Sequence, residues 1–273
     1  KADGNCWEYI DFEGYSNGAN WDAGNSNHNA SYSIFKKINV TNGSIVASNS
    51  FDNSSNSGIT FSNSVNRKLY WVGGNGDWSD STHWSLSSGG LPGACLPTPI
   101  DSIIFDDNSS TSASLNVTLM DNAYCGDFII TVNAPYVAFS NSNSELNVHG
   151  SMYFDRIANI QASLNLRAYK ANEVLRTKFS YIRDLRFYAD SSQYLVLDSL
   201  RVGDLNQNQG SILGNGNYLS ISRYWGRNDS LVNQNSEILL NRAWVYNYWD
   251  VSNASIRINR EMHLYGNIEA NGS

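Results

Sequence analysis

The chain has 273 residues, a formal net charge of −7, and only 16% charged residues, well below the roughly 25% of ordinary soluble domains. The acidic balance excludes a nucleic-acid partner, which requires a basic face. No stretch approaches the ~18 consecutive apolar residues that cross a bilayer as a helix, so insertion of that kind is excluded.

The polarity comes from Asn, Ser, Gly and Tyr, and 12% of residues are aromatic. That mixture suits β-strands whose exposed faces carry hydroxyls and amides. Within residues 1–68, Trp7–Phe12, Asn20–Gly24, Ser44–Asn53 and Gly58–Phe61 read as short strands between turns. They are expected to be the last coils and closing turn of a repeat unit, with Ser62–Lys68 as a linker. Leu69 opens the next unit. From Tyr70 the chain reads YWVGGNGDWSDSTHWSLSSGGLPGACLPTPIDSIIFDD. This block sets Trp71, Trp78 and Trp84 among glycines and small polar residues and ends in the apolar strand Ile103–Phe105. It belongs to an opening segment, 69–126. An opening block in mid-chain implies a longer repetitive polypeptide, and no initiator methionine, signal peptide or lipidation motif is present. Cys95 and Cys125 flank the apolar strand. Either a disulfide closes that loop, stabilising by about 3–4 kcal/mol, or the two are buried thiols.

Residues 127–273 repeat. Segments Glu145–Phe154, Glu237–Tyr246 and Ser255–Leu264 each carry two apolar residues two apart, a polar gap of three, and two more two apart. The expected inward sets are Leu146, Val148, Met152, Phe154; Ile238, Leu240, Trp244, Tyr246; and Ile256, Ile258, Met262, Leu264. Looser copies fall at Leu164 and Leu166, at Ile182, Leu185 and Phe187, at Leu195, Leu197, Leu200 and Val202, and at Leu219, Ile221 and Trp225. A period near twenty with short strands marks a β-solenoid, in which no coil buries its apolar face alone. Asn is expected at the corners, because it tolerates the left-handed conformation. The fold expected is all-β, a right-handed parallel β-helix with units in tandem; a β-sandwich is the alternative.

WVGGNGDWSDSTHWS, followed by a Gly/Ser run, a Pro-Thr step and DSIIFDD, resembles the segments that open repeat units in very large surface proteins of gliding Bacteroidota. NWDAGN followed by SNSFDNSSNSGITF is similar to the way such units close. The resemblance covers the first 107 residues well and the rest only in pattern. It implies a gliding-motility adhesin of the SprB type, exported by the type IX system and held on the outer surface of the cell. Its implied partners are surface polysaccharide or substratum, with the secretion and gliding machinery engaged through regions outside these residues. It also implies O-glycans at Asp-Ser/Thr followed by an aliphatic residue or Thr, a pattern that matches at Ser81, Ser102, Ser199 and Ser230.

No cofactor motif is present. Arg176, Lys178, Arg183, Asp184 and Arg186 alternate with Phe179, Tyr181 and Ile182, which reads as a solvated strand face and not a catalytic cluster. The four histidines show no metal-ligand spacing. Asp106-Asp107-Asn108 reads as a turn, since the further spaced oxygens of a calcium loop are missing. Trp78 and Trp84 read as hydrophobic anchors. The better platform for a glycan is Tyr224, Trp225, Trp244, Tyr246 and Trp249, whose other reading is coil-stacking aromatics. The sequence thus points to a non-enzymatic stalk, with an extracellular carbohydrate-binding or polysaccharide-cleaving solenoid as the alternative.

Overall fold

The computed structural model describes residues 2–15, 18–53, 55–62, 66–140, 143–168, 172–226, 231–232, 236–246 and 248–269. The protein is all-β, and parallel strands stack as a β-solenoid. The one helical turn among the described residues is the 3-10 turn Ser81–His83. Two compact units divide the chain, Lys1–Arg67 and Lys68–Ser273.

In the first unit Ala19–Ser31, Ile38–Ser48 and Ile59–Ser62 form one parallel sheet, joined by Ala2–Asp3. Ile10–Glu13, Ser33–Lys36 and Phe51–Asp52 form a second. Alternation puts Ile38, Val40, Ile45 and Ala47 inside with Phe35. The Phe12 and Phe35 rings stack at 4.9 Å.

In the second unit the opening segment is part of the stack. Ser102–Phe105 pairs in parallel with Lys68–Trp71 on one side and Phe128–Ile130 on the other. One inward column therefore runs Leu69, Ile103, Phe128, Met152, Leu175, Val196. A second runs Leu146, Leu164, Leu185, Leu205, Tyr224, Ala243, Met262. A third runs Phe139, Ile160, Ile182, Val202, Ile221, Leu240, Ile258. Most of these side chains are fully buried, each covered by its counterparts one coil above and below. The stack exists because no single coil can shield these residues from water.

Asparagine makes many of the corners. Asn25, Asn42, Asn49, Asn172, Asn215 and Asn253 are six of the eleven non-glycine residues with positive φ among the described residues.

Leu146, Val148, Met152 and Phe154 point inward as expected, as do Leu164, Leu166, Ile182, Leu185 and Phe187. Three sets differ. In Glu237–Val245 the inward residues after Leu240 are Ala243 and Val245, while Trp244 and Tyr246 face outward. The same holds for Tyr224 in place of Trp225, and for Tyr194 and Val196 in place of Leu195 and Leu197. The cause is the corner. Val148 to Met152 takes four residues around Gly150, where a Cβ would lie 2.9 Å from the Gly126 backbone. Leu240 to Ala243 is a different corner of the coil, since Val148 lies in the column that ends at Val245. It takes three residues, as Ile221 to Tyr224 does, and a one-residue difference in spacing puts every later side chain on the other face. In the last copy Ile256 and Met262 pack on the core, while Ile258 and Leu264 stay 36% and 52% exposed. No further described strand stacks on Ser255–Leu264.

Of the two readings open for Cys95 and Cys125, the bridge between them does not form. Cys125 is a free thiol with no exposed surface, seated on Val148 in an inward column. Burial, reinforced by the carboxylates of Asp127 and Asp101, pushes its pKa well above the ordinary thiol value. It behaves as a small apolar core residue.

Two outcomes follow. Leu240→Ala should cost about 2–5 kcal/mol, and Trp244→Ala about 1 kcal/mol, in urea melts; the reverse order would place Trp244 inside. Iodoacetamide should label Cys125 only after denaturation, as read by peptide mass spectrometry; labelling of the folded chain would contradict its burial.

Candidate functional site

The side chains best placed to act lie on the outward face of the second unit. Between two inward columns runs a column of other chemistry: Asn147, Asn165, Arg186, Asn206, Trp225, Trp244, His263. Beside it runs Ser163, Asp184, Asp204, Arg223, Arg242, Glu261. The parallel ladder repeats every ~4.8 Å, so each side chain sits directly over its counterpart.

The first half of this face is a network of charges and amides. Arg186 donates to Glu145 Oε1 at 2.7 Å and to Asp184 Oδ2 at 2.6 Å. Asn165 donates to Glu145 Oε2 at 2.6 Å, Ser163 to Asp184 Oδ2 at 3.1 Å, and Asn206 to Asp184 Oδ1 at 3.3 Å. All four carboxylate oxygens are thus engaged. Burial opposes the Arg186 charge, but Asp184 and Glu145 outweigh it and hold its pKa above the usual guanidinium value. General acid–base work needs a carboxyl in reach of a substrate proton. Here the carboxylates are spent on tying successive coils together. Of the cluster singled out from the sequence, Asp184 and Arg186 join this network, and Arg176 pairs with Asp155 at 2.7 Å. Lys178 lies in the turn before the strand Tyr181–Val196, and Arg183 donates its Nε to the Gln161 carbonyl at 2.6 Å.

The second half is aromatic. Trp225 and Trp244 stack at 5.2 Å with 8° between planes, and Trp244 and His263 at 5.8 Å with 5°. Tyr246 and Tyr265 stack at 4.9 Å with 6°. Arg223 lies over the Trp225 ring at 5.3 Å and pairs with Asp204; Arg242 pairs with Glu261 at 2.9 Å. Of the five aromatics expected to face a glycan, Trp225, Trp244 and Tyr246 face outward. Tyr224 and Trp249 are core residues, 1% and 0% exposed. Tyr224 donates its hydroxyl to Gln207 Oε1 at 3.0 Å, and burial raises its pKa. The outward rings cover one another's faces, so the surface offers ring edges, a charged rim and hydroxyls in place of a broad open plane. Sequence reasoning missed His263, Tyr265, Arg223 and Arg242. A 19-residue period linking 206, 225, 244 and 263, and 246 to 265, was the signal that would have found them.

Elsewhere, Trp71, Trp78 and Trp84 are buried anchors. Trp71 Nε1 donates to the Gly74 carbonyl at 2.7 Å, Trp84 Nε1 to the Trp78 carbonyl at 2.8 Å, and the rings meet edge to face. Asp106 Oδ1 accepts from the Asn108 N–H at 3.0 Å, the geometry of a turn. Among the described residues no three of His, Cys, Asp and Glu gather as a metal site. Ser81, in the 3-10 turn, and Ser199 are half-buried. Ser102 is buried within its strand and bonds Asp127 Oδ2 at 3.4 Å, which closes it to a glycan. Ser230 lies outside the described residues.

Arg186→Met should lower stability by about 1–3 kcal/mol, because it strands two half-buried carboxylates; a neutral result in urea melts would show that the network holds nothing. Comparison with protein-family models, with curated proteins and with solved structures finds no match for this chain.

Proposed function

We propose that the chain is a non-enzymatic piece of a long extracellular adhesin, held at the cell surface and presenting stiff solenoid coils to polysaccharide or substratum. The observation that carries this reading is the unbroken parallel pairing through the second unit, from Lys68–Trp71 to Asn267–Glu269. Bending such a stack strains many backbone hydrogen bonds at once, so it transmits force well. Each coil adds outward side chains of changing chemistry, and weak contacts summed over many coils multiply into avidity. The resemblance of the Trp/Gly block to surface proteins of gliding Bacteroidota supports a role in gliding and export by the type IX system. Half-buried Ser81 and Ser199 fit O-glycosylation there better than Ser102 does.

A second reading, a solenoid that recognises one carbohydrate, draws on the outward Trp225, Trp244 and Tyr246. Glycan arrays separate the two: micromolar binding of a single oligosaccharide favours the second. For the first, beads densely coated with the chain should adhere to polysaccharide-coated glass, with detachment force rising steeply with coating density. Beads that adhere no better than albumin-coated controls would contradict it.

A further inference from the structure

One corner of the second unit departs from the rest. Lys178 and Phe179 are consecutive and both have left-handed backbones, with φ of +52° and +58°. L-residues with bulky side chains avoid that conformation, and where it persists the surroundings enforce it. Here Asp198 does so. Its carboxylate accepts the Thr177 N–H at 2.9 Å and the Lys178 N–H at 2.7 Å, while Thr177 Oγ1 donates to the Ser199 carbonyl at 3.3 Å. The result turns both side chains out, and Phe179 is 39% exposed. An Asn or Gly at this corner would fold without strain, as at Asn215 or Gly216.

Beside this corner Tyr181 and Arg201 are register partners on adjacent coils. The Arg201 guanidinium lies 5.4 Å from the centre of the Tyr181 ring and 5.9 Å from that of Phe179. Arg183, on the same strand as Tyr181, is held by its Nε on the Gln161 carbonyl at 2.6 Å. Among the described residues no carboxylate forms an ion pair with Lys178, Arg183 or Arg201, although Arg186, Arg223 and Arg242 on the neighbouring face are all paired. Arg201 thus faces two aromatic rings, Lys178 adjoins Phe179, and Arg183 lies two residues from Tyr181 in the chain. None of the three cations forms an ion pair, while the one carboxylate bonded at this corner, Asp198, is spent on backbone N–H groups.

From this we infer that the corner of Lys178, Phe179, Tyr181, Arg183 and Arg201 binds an acidic polysaccharide, through its carboxylate or sulfate groups and the apolar faces of its sugar rings. Guanidinium groups suit planar oxyanions, and an aromatic side chain offers its face to a sugar. Nucleic acid demands a longer basic stripe, and an anionic membrane a cluster of four or more cations, so the polysaccharide fits best. The inference rests on the surface-attachment reading and supplies the contact chemistry it leaves open.

The test is calorimetric titration of the full chain with polygalacturonate and with its methyl ester, which has the same backbone without charge. The acid form should bind, weakening as salt rises, and the ester should bind at least tenfold more weakly. K178Q/R201Q should lose about tenfold in affinity, whereas Arg260→Gln should not change it. Lys178→Gly, which removes a charge and the strain at that residue, should bind more weakly yet melt at least as high as the wild type, so that a folding defect is excluded. No binding of polygalacturonate, equal binding of acid and ester, or equal affinity for double-stranded DNA would each overturn the inference. If coated beads adhere and K178Q/R201Q beads adhere equally well, this site fails and the adhesin reading survives. If neither adheres, the adhesin reading itself fails.

Discussion

An in-register parallel ladder places every side chain directly over its counterpart in the next coil, and the rest of this protein follows from that condition. Inside, it demands apolar columns of compatible size. Leu164, Leu185 and Leu205 satisfy it with identical residues; Phe187 over Gln207 does not. Gln207 is fully buried, and it is accommodated because its amide donates to the Gly210 carbonyl at 2.6 Å and its oxygen accepts from Tyr224. Outside, the same condition threatens repulsion, since like charges directly opposite destabilise a sheet. Asp184 stands over Asp204, and Arg223 over Arg242. Each is neutralised sideways or along the stack, Asp184 by Arg186, Asp204 by Arg223, and Arg242 by Glu261. Aromatic rings meet the condition differently, by stacking face to face.

These solutions divide the outward surface into parts that serve the fold and parts left over. The Glu145–Asp184–Arg186 network and the Trp225–Trp244–His263 stack spend their hydrogen bonds and ring faces on neighbouring coils. Groups that do not serve the stack are therefore informative. The Lys178–Phe179 corner is informative in another way: its backbone and Arg183 Nε bond neighbouring coils, but a solenoid corner needs neither a bulky left-handed residue nor cations without ion pairs. Function in a molecule of this kind is best sought where the repeat is broken.

The coil period was legible because apolar pairs recur near every twentieth residue, and the Leu146–Phe154 copy, with its four-residue corner, was read to the correct face. The anchoring role of Trp78 and Trp84 was legible too, from tryptophans packed among turn residues. The face of later strands was not. A three-residue corner is invisible when both alternating sets are apolar, and size then misleads: Trp244 and Tyr246 outweigh Ala243 and Val245, yet the smaller pair fills the narrow interior. The Cys95–Cys125 pairing failed for a related reason. Flanking a strand in sequence does not fix side-chain direction, and Cys125 points into a column that Val148 and Leu166 fill. Lys178 and Arg183 read in the sequence as part of a solvated strand face, without Arg201. The basic–aromatic corner depends on the backbone angles at Lys178 and Phe179, on the register of Tyr181 with Arg201 and on which arginines are paired, none of which is written in the sequence.

The most direct measurement of the account is a pulsed electron-paramagnetic-resonance distance between spin labels at Asn159 and Arg257. These residues lie in one outward column, linked through Tyr181, Arg201, Ser220 and Leu239. Five coil steps of ~4.8 Å predict a narrow distribution centred at about 24 Å. A broad distribution, or one centred well away from that distance, would contradict the in-register stack on which the whole account rests.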